Sequence, residues 1–246
     1  MTRYLSVAAL AAAFAIGGAW MLTRPAAPGD TMLQGDLLPG AAQAQESGDA
    51  AQAQESGDAA TDISTIPEMA MGLETAPVTI IEYASFTCPH CADFHADQYQ
   101  QLGPYIEDGR VRFIFREVYF DRFGLWASLV ARCTDDPMRF FGITGVLYDT
   151  QRDWIGDGEP ATIADNLRTV ALTAGLDAAT LDACFADEAK ARTLIAWFEE
   201  NATRDAVTAT PTLFINGEKY ANMAFSEMAA IIDPIIEASD WTPPTE

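Results

Sequence analysis

The chain has 246 residues, a formal net charge of −22 at pH 7 and 49% apolar residues. This length and apolar content are sufficient for one domain with a hydrophobic core, together with export and linker segments. The acidity argues against nucleic-acid binding, because a phosphate-binding face requires clustered Lys and Arg, and residues 25–109 contain neither. A soluble, self-repelling surface is the simplest interpretation of the charge.

The N-terminal segment has the pattern of an export signal. Arg3 precedes an apolar run from Tyr4 to Leu22, and the small residues at 17–19 supply a candidate cleavage site. As a helix, the same run would be about 28 Å long, close to the thickness of a bilayer core, so an uncleaved anchor is the alternative. We therefore predict that residues 1–24 are a signal peptide or an N-terminal membrane tether, with the rest of the protein outside the cytoplasm.

A low-complexity segment follows the export signal. Residues 25–65 are rich in Ala, Gly, Gln, Ser and acids, and the nonapeptide AQAQESGDA occurs at 42–50 and again at 51–59. One duplicated polar stretch cannot bury a core. We predict a disordered linker over 25–65, an ordered domain over 66–240 and a tail over 241–246.

The first regular elements are predicted on either side of a CPHC motif at residues 88–91. Residues 78–83 are β-branched and apolar, which is typical of a strand buried on both faces. Residues 92–102 predict a helix, which the Gly-Pro pair at 103–104 interrupts. The alternation over 111–115 predicts a second strand. The cysteines therefore lie where the first strand of a strand-helix-strand unit enters its helix.

The second half of the chain is predicted to be helical and then to return to strands. Helical spacing of apolar residues extends over 123–206, with Gly175 ending one helix. Asn216-Gly217 indicates a hairpin. The remaining predicted elements are helices at 176–187, 189–202 and 225–238 and strands at 207–211, 212–215 and 218–220.

Two motifs at opposite ends of this helical block carry a family resemblance. The CPHC motif follows a buried strand, and Thr210-Pro211 precedes the hairpin. In this combination the chain resembles the DsbA-like thiol:disulfide oxidoreductases of the thioredoxin superfamily. The resemblance implies an α/β thioredoxin fold over 66–240, with a helical insertion at about 121–206 between its βαβ and ββα halves, and it implies no cofactor.

The predicted redox chemistry depends on Cys88. A thiolate attacks a disulfide, whereas an ordinary cysteine is mostly protonated at neutral pH. A helix N-terminus offers unpaired backbone N–H groups and positive dipole charge to the sulfur, and His90 adds a donor or a positive charge. Stabilising the thiolate stabilises the reduced form, which makes the disulfide a strong oxidant. Pro89 suits such a redox turn, and Cys91 is predicted to be the buried resolving cysteine.

Three further site residues are predicted from the resemblance alone. Glu82 occupies the position at which the family has a buried acid that helps to move protons, and a solvated carboxylate at a strand edge is the alternative. Thr210 and Pro211 resemble the cis-proline loop that faces the redox motif, where the Thr210 backbone would pair with a client chain. Oxidases of the family often have Val before this proline and isomerases often have Thr, so Thr210 weakens the choice of an oxidase.

The other cysteines and a histidine open further interpretations. Cys133 and Cys184 fall in the helical block, where some relatives carry a structural disulfide, and closing a loop of about 50 residues adds roughly 4 kcal/mol on chain-entropy grounds. Two separate buried thiols are the alternative. Cys88, Cys91 and His95 have the spacing C-x2-C-x3-H of a zinc site, but no second distant ligand pair is evident, so we predict no metal.

Together these features predict a periplasmic enzyme that introduces disulfide bonds into exported proteins. Its substrates would be reduced or unfolded exported proteins, and the resemblance implies reoxidation by a DsbB-like membrane protein. A disulfide isomerase or reductase of the same fold is one alternative. A peptide-binding chaperone without turnover is the other.

Overall fold

A computed structural model of the chain describes Leu38 and residues 61–242. The predicted signal or anchor at 1–24, most of the predicted linker and residues 243–246 of the predicted tail lie outside the described residues. Residues 61–65 of the predicted linker are described, and Ile63–Thr65 forms one turn of 3-10 helix that packs Ile63 against the core. Across the described ranges, none of the helices combines the length and the apolar character that a membrane span requires.

A mixed sheet forms the centre of the described domain. Its strand order is β1-β3-β2-β4-β5, in which β2 and β3 are parallel and every other neighbouring pair is antiparallel. The strands are β1 (Met69–Met71), β2 (Val78–Ala84), β3 (Val111–Glu117), β4 (Thr212–Ile215) and β5 (Glu218–Ala221).

Helices cover the sheet and form a block between its two halves. They are α1 (Pro89–Ala96), α2 (Gln98–Glu107), α3 (Arg122–Ala131), α4 (Pro137–Asp149), α5 (Gln151–Ile155), α6 (Pro160–Thr173), α7 (Ala178–Phe185), α8 (Glu188–Arg204) and α9 (Phe225–Ala238). The helices α3 to α8 separate β3 from β4. This order confirms the predicted α/β thioredoxin fold with a helical insertion between the βαβ and ββα halves.

The central strand β2 positions the CPHC motif. Ile80 of β2 lies opposite Phe113 of β3 on one side and Ile215 of β4 on the other, and Ile80 and Phe113 are fully buried. A strand paired on both edges and packed on both faces has little freedom to shift. Residues 85–88, which follow β2, therefore have a fixed position at the C-terminal end of this central strand.

Two predicted elements differ from the structure. The helix after the motif breaks at Asp97 rather than at residues 103–104, and Pro104 lies inside α2. The buried side chains of Leu102 and Ile106 keep that helix on the core, and this packing outweighs the unfavourable proline. The predicted strand at 207–211 is a loop, since pairing with β2 begins only at Thr212.

A buried ion pair fixes the insertion to the sheet. The guanidinium of Arg132, just after α3, donates to both carboxylate oxygens of Glu117 at the end of β3, with Nη2 2.8 Å from Oε2. Both side chains are fully buried, and Arg132 Nη1 also donates to the carbonyl of Pro67 at 2.9 Å. Removing one partner of such a pair typically costs about 3–5 kcal/mol, so the start of the insertion is firmly anchored.

Candidate active site

Cys88 lies at the N-cap of α1, as the sequence predicts. Its N–H donates to the carbonyl of Ser85 at 3.0 Å, and its own carbonyl accepts from the N–H groups of Cys91 and Ala92 at 3.2 and 3.3 Å. Pro89 occupies the first helical position, where a missing N–H leaves no bond unmade and the fixed φ favours the helical turn. The motif therefore begins a helix at the edge of the sheet.

The Cys88 sulfur is half-buried and is held as a thiolate at neutral pH. Hydrogen bonding from the Cys91 thiol is the main cause that lowers the pKa of Cys88 to about 5. The backbone N–H groups of Cys91 and His90 lower this pKa further, against an opposing effect of burial. The deprotonated sulfur therefore faces several donors at once.

Cys91 has the opposite character. It is fully buried, and burial, the neighbouring Cys88 and the charge of Glu82 all raise the pKa of Cys91 above its ordinary value. Neither motif cysteine is disulfide-bonded in this structure. Two sulfurs three residues apart thus have pKa values displaced in opposite directions, which assigns Cys88 as the nucleophile and Cys91 as the protonated partner.

His90 is directed away from the Cys88 sulfur. Its imidazole is 75% exposed and its Nδ1 lies 3.9 Å from Asp93 Oδ2, one turn along α1. The sequence predicts a donor or a positive charge from this residue. The contact that lowers the pKa of Cys88 comes from the backbone N–H of His90.

Glu82 is buried between β2 and α1, the helix that carries the motif. The side chain is fully buried in β2, with Oε2 2.8 Å from His95 Nε2 of α1 and Oε1 without a hydrogen-bond partner among the described residues. His95 stacks on Tyr148 at 4.3 Å and on Tyr99 at 4.8 Å between ring centroids. The carboxylate is therefore close enough to raise the pKa of Cys91. His95, which the sequence offers as a candidate zinc ligand, is the hydrogen-bond partner of Glu82.

The loop before β4 faces the nucleophile. The peptide bond between Thr210 and Pro211 is cis. The Cys88 Sγ lies 3.5 Å from the Thr210 carbonyl oxygen, and the Thr210 hydroxyl is buried. Cys88 and Thr210, which are 122 positions apart in the chain, are therefore in contact, as the sequence predicts.

A polar chain beside the motif was missed by the sequence analysis. Thr87 donates its hydroxyl to Asp121 Oδ2 at 2.7 Å and shares a 3.0 Å hydrogen bond with the Ser85 hydroxyl. Asp121 Oδ1 caps α3 by accepting from the N–H groups of Phe123 and Gly124. The sequence signal was an acid directly before an apolar helical run, and this cap links the insertion to the residue before Cys88.

The second cysteine pair lies within the insertion. Cys133, just after α3, is disulfide-bonded to Cys184 near the end of α7. The structure thus contains the predicted disulfide rather than two separate thiols. Within the described ranges, no group of three His, Cys, Asp or Glu side chains is arranged to hold a metal ion.

The fold and site define a thioredoxin-type protein with a dithiol at the start of its first helix. The sequence profile of the thioredoxin family matches residues 64–234, and the chain belongs to that family. Among its relatives is a protein of Rickettsia bellii named as a protein-disulfide oxidoreductase, 27% identical over 70% of this chain and 66% of the relative. The chain spans between 60% and 66% of the length of the Rickettsia relatives that it matches.

Solved structures show the same architecture. Wolbachia pipientis alpha-DsbA1 superposes with a TM-score of 0.64 at 23% identity, over 72% of this chain and 96% of that one. A protein-disulfide isomerase from Novosphingobium aromaticivorans superposes with a TM-score of 0.59 at 25% identity, over 68% of this chain and 97% of that one. The predicted DsbA-like architecture is thereby confirmed as a fold, within the thioredoxin family.

Proposed function

We propose that the chain is a periplasmic dithiol oxidase that introduces disulfide bonds into exported proteins. The observation that carries this proposal is the lowered pKa of Cys88, about 5, beside a buried Cys91 whose pKa is raised. A thiolate stabilised in the reduced protein makes the disulfide form give up its bond readily. The relatives with protein-disulfide oxidoreductase names support the same class of reaction.

The proposed reaction is a pair of thiol–disulfide exchanges. A client thiolate attacks Cys88 in the Cys88–Cys91 disulfide, which forms a mixed disulfide and releases Cys91 as a thiolate that takes up one proton. A second client thiolate then attacks the client sulfur of the mixed disulfide, and Cys88 leaves as its stabilised thiolate. The client loses two electrons and gains a disulfide, and the chain gains two electrons.

Two neighbouring elements are assigned supporting roles in this reaction. Glu82, buried beneath α1 and hydrogen-bonded to His95, helps to move the proton that the leaving Cys91 sulfur takes up. Thr210 and Pro211 face Cys88 and present backbone groups to an extended client segment. Pro89 and His90 shape the first turn of α1, through which the backbone N–H groups reach the sulfur.

Export of the chain would bring it into the same compartment as its substrate proteins and its oxidant. The N-terminal sequence pattern supports delivery to the periplasm, as a soluble or tethered protein, where newly exported chains arrive reduced and unfolded. Each turnover leaves the chain reduced, so an oxidant must restore its disulfide. The family resemblance supports a DsbB-like membrane protein in that role.

Oxidation of a defined client tests the proposal. The purified full chain, oxidised at Cys88 and Cys91, is mixed with a reduced, unfolded two-cysteine client, and the client thiols are counted over time. We expect one client disulfide for each motif disulfide consumed. A client that stays reduced while the motif disulfide persists would overturn the proposal.

A disulfide isomerase or reductase is the second candidate, favoured by Thr210 and by the isomerase name of one structural relative. Refolding of a client with scrambled disulfides, compared with its oxidation, separates the activities. An equilibrium potential far above about −270 mV, the value for thioredoxin, favours the oxidase. If a Cys88→Ser variant still prevents client aggregation, the chain also acts as a peptide-binding chaperone.

A further inference from the structure

The backbone that leads into the redox motif is held by side chains of the insertion. Tyr148, at the end of α4, donates its hydroxyl to the carbonyl of Ser85 at 3.2 Å. Gln151, the first residue of α5, donates its side-chain amide to the carbonyl of Phe86 at 2.8 Å and to that of Cys88 at 2.9 Å. The carbonyls of three of the four residues from 85 to 88 are therefore bound by the insertion.

The orientation of the Gln151 amide follows from its partners. Both partners are backbone carbonyls, which can only accept, so the amide nitrogen, which carries two hydrogens, must face them. The residue is 6% exposed, and solvent therefore offers little competition for these bonds. A single side chain, 63 residues from Cys88, thus binds the carbonyl of the nucleophile itself and a second carbonyl two residues earlier.

We propose that Gln151 is a positioning residue for Cys88, through which the helical insertion fixes the nucleophile at the start of α1. This inference rests on the proposed redox role of Cys88. It assigns a function in the reaction to a residue of the insertion that does not touch the reacting sulfurs.

The geometry explains how Gln151 acts on the sulfur. The Cys91 thiol and, to a smaller extent, the N–H groups of Cys91 and His90 stabilise the Cys88 thiolate, and the first turn of α1 directs all three towards the sulfur. The Cys88 carbonyl begins that turn by accepting from Cys91 and Ala92. Loss of the Gln151 side chain removes the hydrogen bonds to the carbonyls of Phe86 and Cys88. The donors of the first turn are then no longer fixed in position near the sulfur, so the thiolate is less stabilised.

A matched pair of variants tests the inference. Gln151→Met keeps the length and volume of the side chain and removes both donors. Asn166→Leu is the control, because the Asn166 amide also donates to two carbonyls of the insertion, those of Asp153 and Trp154 at 3.2 and 3.3 Å, but contacts none of the motif. The readout is the thiolate absorbance of Cys88 against pH, together with the equilibrium potential of the motif.

We expect the pKa of Cys88 to rise by roughly one unit in Gln151→Met, a tenfold weaker stabilisation of the thiolate, and to stay unchanged in Asn166→Leu. A Gln151→Met protein that unfolds earlier but titrates like the wild type would overturn the inference and leave a structural role only. Equal pKa shifts in both variants would also overturn it.

A measurement on the unaltered chain covers the case in which Gln151→Met does not fold. The side-chain amide protons of Gln151 should shift in the NMR spectrum with the same midpoint as the Cys88 titration. Protons that do not respond to this titration would overturn the inference. If the wild-type chain fails to oxidise a client, the proposed function fails, whereas these titrations still decide whether Gln151 positions Cys88.

Discussion

The two cysteine pairs of this domain have the same chemistry available and opposite surroundings. Cys88 stands at the N-cap of α1, where backbone N–H groups and the positive end of a helix meet the sulfur. Cys133 follows the C-terminal end of α3, and Cys184 lies in the last turn of α7.

This contrast shows what makes a disulfide reactive. The negative end of a helix disfavours a thiolate, so reduction of the pair in the insertion gains no stabilised anion. The motif pair does gain one, at Cys88. On the proposed function, the same covalent bond is therefore a structural link between α3 and α7 at one site and a source of oxidising power at the other.

The largest effect is expected from replacing the two motif cysteines one at a time, because Cys88 and Cys91 have different roles in the exchange. Reduced Cys91→Ser protein, given a client that already contains a disulfide, should accumulate a mixed disulfide through Cys88, because the resolving sulfur is missing. Cys88→Ser should form none and should lose client oxidation completely. Non-reducing gels with mass spectrometry identify the adduct. An adduct on Cys91 in the Cys88→Ser protein would reverse the assignment of the two roles.

Removing the second pair should affect stability and leave the redox chemistry intact. Cys133→Ala/Cys184→Ala opens a link between residues 51 apart in sequence and should lower the free energy of unfolding by about 2–4 kcal/mol. Urea unfolding of the oxidised proteins measures this difference. The pKa of Cys88 should stay near 5, because its donors lie in other elements. A changed Cys88 titration would contradict the separation of the two pairs.

The redox centre was largely readable from the sequence because its residues carry local signals. CPHC after a buried strand placed Cys88 at a helix start, and the family resemblance of Thr-Pro before a hairpin placed Thr210 opposite it. The partners contributed by the insertion carried no such signal. Gln151 and Tyr148 lie more than 60 residues from the carbonyls that they bind, and nothing in their neighbourhood distinguishes them from other polar residues on buried helix faces.

The errors in the predicted fold have a similar origin. Strand β1 has three residues without alternation, and only its pairing with β3 reveals it. Pro104 was interpreted as a break, yet burial of its neighbours keeps it inside α2. Local propensity was outweighed by tertiary packing in both places.

Replacing the buried acid should slow turnover and leave the nucleophile unchanged. Glu82→Gln keeps the size of the side chain and an oxygen for His95 but can no longer take up and release a proton. We expect the rate of client oxidation at pH 7 to fall about a hundredfold, at the low end for loss of general acid–base catalysis. Stopped-flow kinetics with a reduced peptide measure the rate. An unchanged rate across pH would show that Glu82 serves only to support the fold.

The smallest expected effect is a change of slope in the pH dependence of the motif potential. The pKa of Cys88 is lowered from an ordinary value near 9 to about 5. The thiolate therefore stabilises the reduced, folded form fully above about pH 9, and this stabilisation is lost as the pH falls through 5. Between about pH 5 and pH 9, reduction of the Cys88–Cys91 disulfide takes up two electrons and one proton, which binds to Cys91. The reduction potential of this pair should therefore fall by about 30 mV per pH unit.

Below pH 5 reduction takes up two protons, and the slope should steepen to about 59 mV per pH unit. Equilibration with a redox buffer of known potential from pH 4 to pH 8 measures both segments. Cys133 and Cys184 provide the internal comparison, since reducing a pair at helix C-termini should take up two protons throughout this range. A motif with the steeper slope up to pH 8 would have an ordinary Cys88 thiol, and the contrast between the two pairs would disappear.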